Sequence, residues 1–122
     1  MTKQCMIVDD VEVSRYATAM IFEDFGFNVV EAEDGPGCIE SLTKNDPNVI
    51  LIDWHLRKES GLDLIARIRQ TPNGRHVPIL VYSGIEKGNM HIAVNQAGAV
   101  GYIAKPATRE QVETALRQLN LL

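Results

Sequence analysis

Five short apolar segments limit what this chain can fold into. They are QCMIV (4–8), NVVEA (28–32), NVILID (48–53), PILVYS (78–83) and GYIA (101–104). Each has strand length, and polar or glycine-containing stretches bound it. Between them the periodicity becomes helical. Ser14, Ala17, Thr18, Ile21, Phe22 and Phe25 recur at steps of three and four, the inner face of an amphipathic helix that Gly26 ends. DGPGCIESLTK (34–44) predicts a short helix with Pro36 in its first turn and Ile39 and Leu42 facing inward. GLDLIARIR (61–69) predicts another, with Leu62, Ile65 and Ile68 on one stripe, and NMHIAVNQAG (89–98) a fourth, ended by Gly98. Thr108 and Gln111 have the spacing of a capping box and open the last helix, whose inner stripe is Val112, Ala115, Leu116 and Leu119.

Strands alternating with helices require a parallel sheet with right-handed crossovers. NVILID is apolar on both faces, as suits a strand covered by helices on either side. Five such units in 122 residues make one domain, 1–122. The predicted class is α/β: a flavodoxin-like doubly wound (βα)5 fold, its five-stranded parallel sheet ordered 2-1-3-4-5 with helices on both faces. Ligands of such folds sit beyond the carboxyl ends of the strands, where strand order reverses. Here that is the junction of the first and third strands.

Composition narrows the function classes. The net charge is −4 and the basic residues are scattered, which speaks against direct nucleic-acid binding. No apolar run is long enough to span a membrane, and the first residues lack a signal-peptide core, so a cytoplasmic chain is expected. Cys5 and Cys38 fit no zinc or redox spacing and read as buried, reduced thiols. His55, His76 and His91 have no metal-ligand spacing either.

The strand ends carry the chemistry. Asp9 and Asp10 follow the first strand, Asp53 ends the third, Ser83 ends the fourth, and Lys105-Pro106 follows the fifth. Singly, each has an ordinary explanation: a turn acid, a helix N-cap, a turn serine, a solvated lysine. The fold gathers all of them into one crevice. Three carboxylates together call for a cation, and Mg2+ is the natural one, being hard and oxygen-seeking. A carboxylate can also attack phosphorus, with hydroxyl and ammonium groups as donors to the phosphoryl oxygens.

With these residues in place, the chain resembles the receiver domain of two-component response regulators, in particular the stand-alone, chemotaxis-regulator-like members. The resemblance rests on VDD after the first strand, LIDW at the third, Gly61 eight residues past Asp53, VYSG at the fourth, and AGAVGYIAKP at 97–106. It implies that Asp53 is the phosphoacceptor. Asp10 and Asp53 would bind Mg2+ directly, with the backbone carbonyl of His55 as a third protein ligand and Asp9 acting through water. Ser83 and Lys105 would contact the phosphoryl group, Lys105-Pro106 would be a cis peptide, and Tyr102 would be the aromatic that moves inward when Ser83 closes. The implied partners are a histidine kinase or histidine phosphotransfer protein as donor and a downstream effector protein, with neither nucleic acid nor membrane.

Two positions depart from the family pattern. Arg57 stands where proline is usual after the acceptor, and Gly84 where alanine commonly follows Ser83. Losing proline frees φ and loosens the loop. Two other readings compete: a phosphorylation-independent adaptor of the same shape, and a phosphohydrolase with an aspartate nucleophile. The first would be expected to lack a site residue. The second would place an acid where His55 stands.

Overall fold

The computed structural model describes residues 2–84 and 94–122. Its strands are β1 (Gln4–Val8), β2 (Asn28–Ala32), β3 (Val49–Asp53), β4 (Ile79–Ser83) and β5 (Gly101–Ala104). All pair in parallel, in the order β2-β1-β3-β4-β5, as the alternation of segments predicts. The helices are α1 (Glu12–Asp24), α2 (Gly35–Leu42), α3 (Gly61–Ile68) and a C-terminal helix (Arg109–Gln118). Residues 94–96 are also helical, but most of the predicted helix 89–98 lies outside the described residues.

Side chains alternate across the sheet and separate two cores. On one face Cys5, Ile7, Leu51, Leu80 and Ile103 pack against Ala19 and Phe22 of α1 and Val112 and Leu116 of the C-terminal helix. On the other, Met6, Val8, Ile50, Ile52 and Val81 pack against Cys38 and Leu42 of α2 and Leu64, Ile65 and Ile68 of α3. β3 is buried along its whole length because both cores close over it.

The helix signals hold at the ends and slip on the faces. Asp34 caps α2, accepting from the Gly37 N–H at 2.8 Å, and Thr108 with Gln111 forms the capping box. Gly26 takes φ +89° after α1, a conformation that glycine adopts without steric cost. In α1, however, Ala19 is buried and Ala17 exposed, and Val13, Tyr16 and Met20 face solvent. In α3, Leu64 is buried while Leu62 is 50% exposed. Stepping back by threes from Ile68 through Ile65 rotates Leu62 about 120° off the stripe, whereas Leu64 lies only about 40° away.

Between β3 and α3, residues 54–60 form no helix, so Asp53 is not a helix cap. Ser60 caps α3 instead, accepting from the Asp63 N–H at 3.2 Å. Gly61 is confined here, since a Cβ would lie 2.7 Å from the Trp54 ring.

Candidate functional site

Sheet register builds the site. Val8 pairs with Ile52, and Asp53 with Tyr82. Tyr82 in turn pairs with Ile103. Alternation then turns Asp9, Asp53, Tyr82 and Lys105 toward the face of α1 and the C-terminal helix. One carboxylate oxygen from each of Asp9, Asp10 and Asp53 lies within 4.8 Å of the others. Asp9 is fully buried and Asp53 only 4% exposed.

Donors hold this negative charge in place. Asp53 Oδ1 accepts from the His55 backbone N–H at 3.0 Å, and its Oδ2 accepts from Lys105 Nζ, also at 3.0 Å. Asp9 Oδ1 accepts from the Val11 N–H at 2.9 Å, and its Oδ2 accepts from the Tyr82 hydroxyl. The same Asp9 oxygen lies 3.7 Å from Lys105 Nζ. Asp10 Oδ2 accepts from the Arg57 N–H at 2.9 Å and lies 3.4 Å from the Arg57 guanidinium. The Lys105–Pro106 peptide bond is cis.

The remaining predicted residues have clear positions. Ser83 ends β4, buried, and its backbone oxygen accepts from the Lys105 N–H at 2.9 Å. The Tyr102 hydroxyl reaches the same oxygen at 3.4 Å, and its ring packs against the α2–α3 core. The His55 side chain is exposed, so the residue serves Asp53 through its backbone.

Two contributors were not anticipated. Tyr82 could have been found from strand alternation, because it falls two residues after inward-facing Leu80 and beside Asp53 in register. From the sequence, Arg57 reads as a missing proline and, with Lys58, as added positive charge near the site or simply solubility. An arginine also restores a backbone N–H, and that N–H is the one bonded to Asp10.

Burial alone would raise the Asp9 carboxyl. The Tyr82 hydroxyl, the Val11 N–H, Ser14 and the Lys105 charge together outweigh burial and hold it below the ordinary carboxylate range. A carboxyl depressed in the folded state stabilises the fold above its unfolded value of about 3.9, and that contribution is lost as pH falls through the depressed value. Asp9→Asn should therefore flatten the acid limb of stability. Urea denaturation of metal-free protein from about pH 7 to about pH 2.5 measures this, and an unchanged acid limb would remove Asp9 from the account.

A parallel doubly wound sheet with a carboxylate cluster and a fixed lysine at its carboxyl edge defines a class. The family model of the response regulator receiver domain matches residues 5–117, and the chain belongs to that family. It is similar to the chemotaxis protein CheY-3 of Vibrio cholerae, 33% identical over 115 residues, which cover 93% of this chain and 88% of that protein. Among solved structures it is similar to a response regulator from Thermotoga maritima, with TM-score 0.85, 27% identity and 98% of both chains covered. It is also similar to the receiver domain of the sensor histidine kinase PA1611 from Pseudomonas aeruginosa, which has a magnesium ion coordinated in its active site cleft. There the TM-score is 0.85 and the identity 26%, with 98% of both chains covered. No helix among the described residues is long and apolar enough to cross a membrane.

Proposed function

We propose that this chain is a phosphorylation-activated signalling switch that accepts a phosphoryl group on Asp53. The observation that carries the reading is Lys105 held 3.0 Å from Asp53 within a cluster of three carboxylates. Such an all-oxygen donor set suits a hard cation, and Mg2+ is the one that fits this chemistry. Asp10 and Asp53 would hold it with the His55 carbonyl, and Asp9 would act through water. When bound, Mg2+ neutralises charge on the transferring phosphoryl group.

The protein's own groups do the rest. An Asp53 oxygen bonds to phosphorus as the P–N bond of a donor phosphohistidine breaks, and the electron pair returns to the donor's imidazole. The Lys105 ammonium balances charge on the phosphoryl oxygens. The Ser83 hydroxyl binds one of those oxygens, and Tyr102, hydrogen-bonded to the Ser83 carbonyl, carries the change toward the surface of β4 and β5. The donor is a histidine kinase or histidine phosphotransfer protein, the output is contact with an effector protein, and the setting is the cytoplasm.

The direct test is incubation with Mg2+ and acetyl phosphate, followed by intact mass. One added phosphoryl group is expected. Protein left unmodified by acetyl phosphate and by phosphohistidine donors alike would favour a phosphorylation-independent adaptor.

Arg57 tunes the same site. Its guanidinium competes with any cation for Asp10, although at an exposed position that competition is worth at most about 1 kcal/mol. Arg57→Ala should tighten Mg2+ binding by up to about fivefold, read from Trp54 fluorescence. Weaker binding in the variant would show that Arg57 supports Asp10 rather than occupying it.

A further inference from the structure

Tyr82 has no role in the reaction just described, yet among the described residues it is the largest fully buried side chain, and it lies beneath the site. Its hydroxyl donates to Asp9 Oδ2, and its ring centroid lies 4.5 Å from the Lys105 ammonium. That ammonium stands between two carboxylates, 3.0 Å from Asp53 Oδ2 and 3.7 Å from Asp9 Oδ2. A single cation between two buried anions is drawn to the one whose charge is less satisfied by other donors and by solvent together. Stripped of the Tyr82 hydroxyl, Asp9 would keep the Val11 N–H and Ser14 but, being fully buried, would have no solvent to replace the lost donor, and it would draw Lys105 away from the slightly exposed Asp53.

We propose that Tyr82 is a positioning residue for phosphoryl acceptance: it satisfies the Asp9 oxygen that would otherwise capture Lys105 and so leaves the ammonium on Asp53. The ring adds to this, because its face attracts the ammonium from below and limits where Nζ can settle. The role rests on Asp53 being the phosphoacceptor and assigns Tyr82 no contact with the phosphoryl group. Phenylalanine at this position would keep the ring and lose only the hydroxyl.

The test is a double-mutant comparison of wild type, Tyr82→Phe, Asp9→Asn and the double variant at saturating Mg2+ with acetyl phosphate. Tyr82→Phe should slow phosphorylation about tenfold. In the Asp9→Asn background, where the competing charge is gone, the same substitution should change the rate less than about twofold. A loss that persists in that background would mean Tyr82 acts by packing alone, and a Tyr82→Phe rate equal to wild type would also overturn the proposal. A second readout needs neither metal nor phosphate: the 15N resonance of Lys105 Nζ in metal-free protein. It should move on Tyr82→Phe, and it should not differ between Asp9→Asn and the double variant. Absence of phosphorylation in the wild type would defeat the proposed function, and the Lys105 resonance would still decide whether Tyr82 places that ammonium.

Discussion

Asp53→Asn should take up no phosphoryl group from acetyl phosphate at any Mg2+ concentration. The substitution keeps the shape of the side chain and removes the carboxylate proposed as the nucleophile, and an amide does not take its place. Asp9 and Asp10 do not substitute for it. Asp9 is fully buried with both oxygens engaged, and Asp10 is paired with Arg57. Metal-free Asp53→Asn should keep its melting temperature within about 3 °C, because the amide fills the same space and Lys105 retains Asp9 as partner. Intact mass and thermal denaturation on one preparation test both halves. Phosphoryl incorporation in Asp53→Asn would move the acceptor elsewhere.

Lys105→Met should separate rate from metal affinity. Removing the Lys105 ammonium beside Asp53 would take away the charge stabilisation proposed for the transfer, and phosphorylation should slow by about 100-fold or more. Mg2+ should bind several-fold more tightly, because Lys105 and the metal draw on the same carboxylates. Acetyl phosphate kinetics and a Trp54 fluorescence titration give the two numbers. A fall in both rate and affinity would instead mean that Lys105 mainly keeps the carboxylates apart. Losing the cation should also lower metal-free stability by about 1–3 kcal/mol, since Asp9 has no solvent to turn to.

The sheet could be read from the sequence because its strands are short and apolar and end on polar groups. Parallel topology then follows from the helices between them. The site followed from the same reasoning, since the carboxyl ends of β1, β3, β4 and β5 must meet. Helix faces were harder. Val13, Tyr16 and Met20 are apolar yet exposed, so periodicity alone does not separate Ala17 from Ala19. Tyr82 resembled any apolar strand residue, and nothing in a linear reading said that its hydroxyl would meet Asp9. Arg57 reads as a loss of stiffness and an added charge, and nothing in a linear reading says that its backbone N–H, a donor that proline lacks, would meet Asp10.

The sheet keeps its two cores apart, and each contains one cysteine: Cys5 on β1 beneath α1 and the C-terminal helix, Cys38 on the inner face of α2. Both are fully buried, and burial pushes the Cys38 thiol up to about 12 and the Cys5 thiol higher still. Neither reacts while its layer is closed. A thiol reagent therefore counts openings, and single-cysteine variants count them one side at a time. The chain thus carries a separate clock for each half of its interior, which can show which half loosens when Asp53 changes charge.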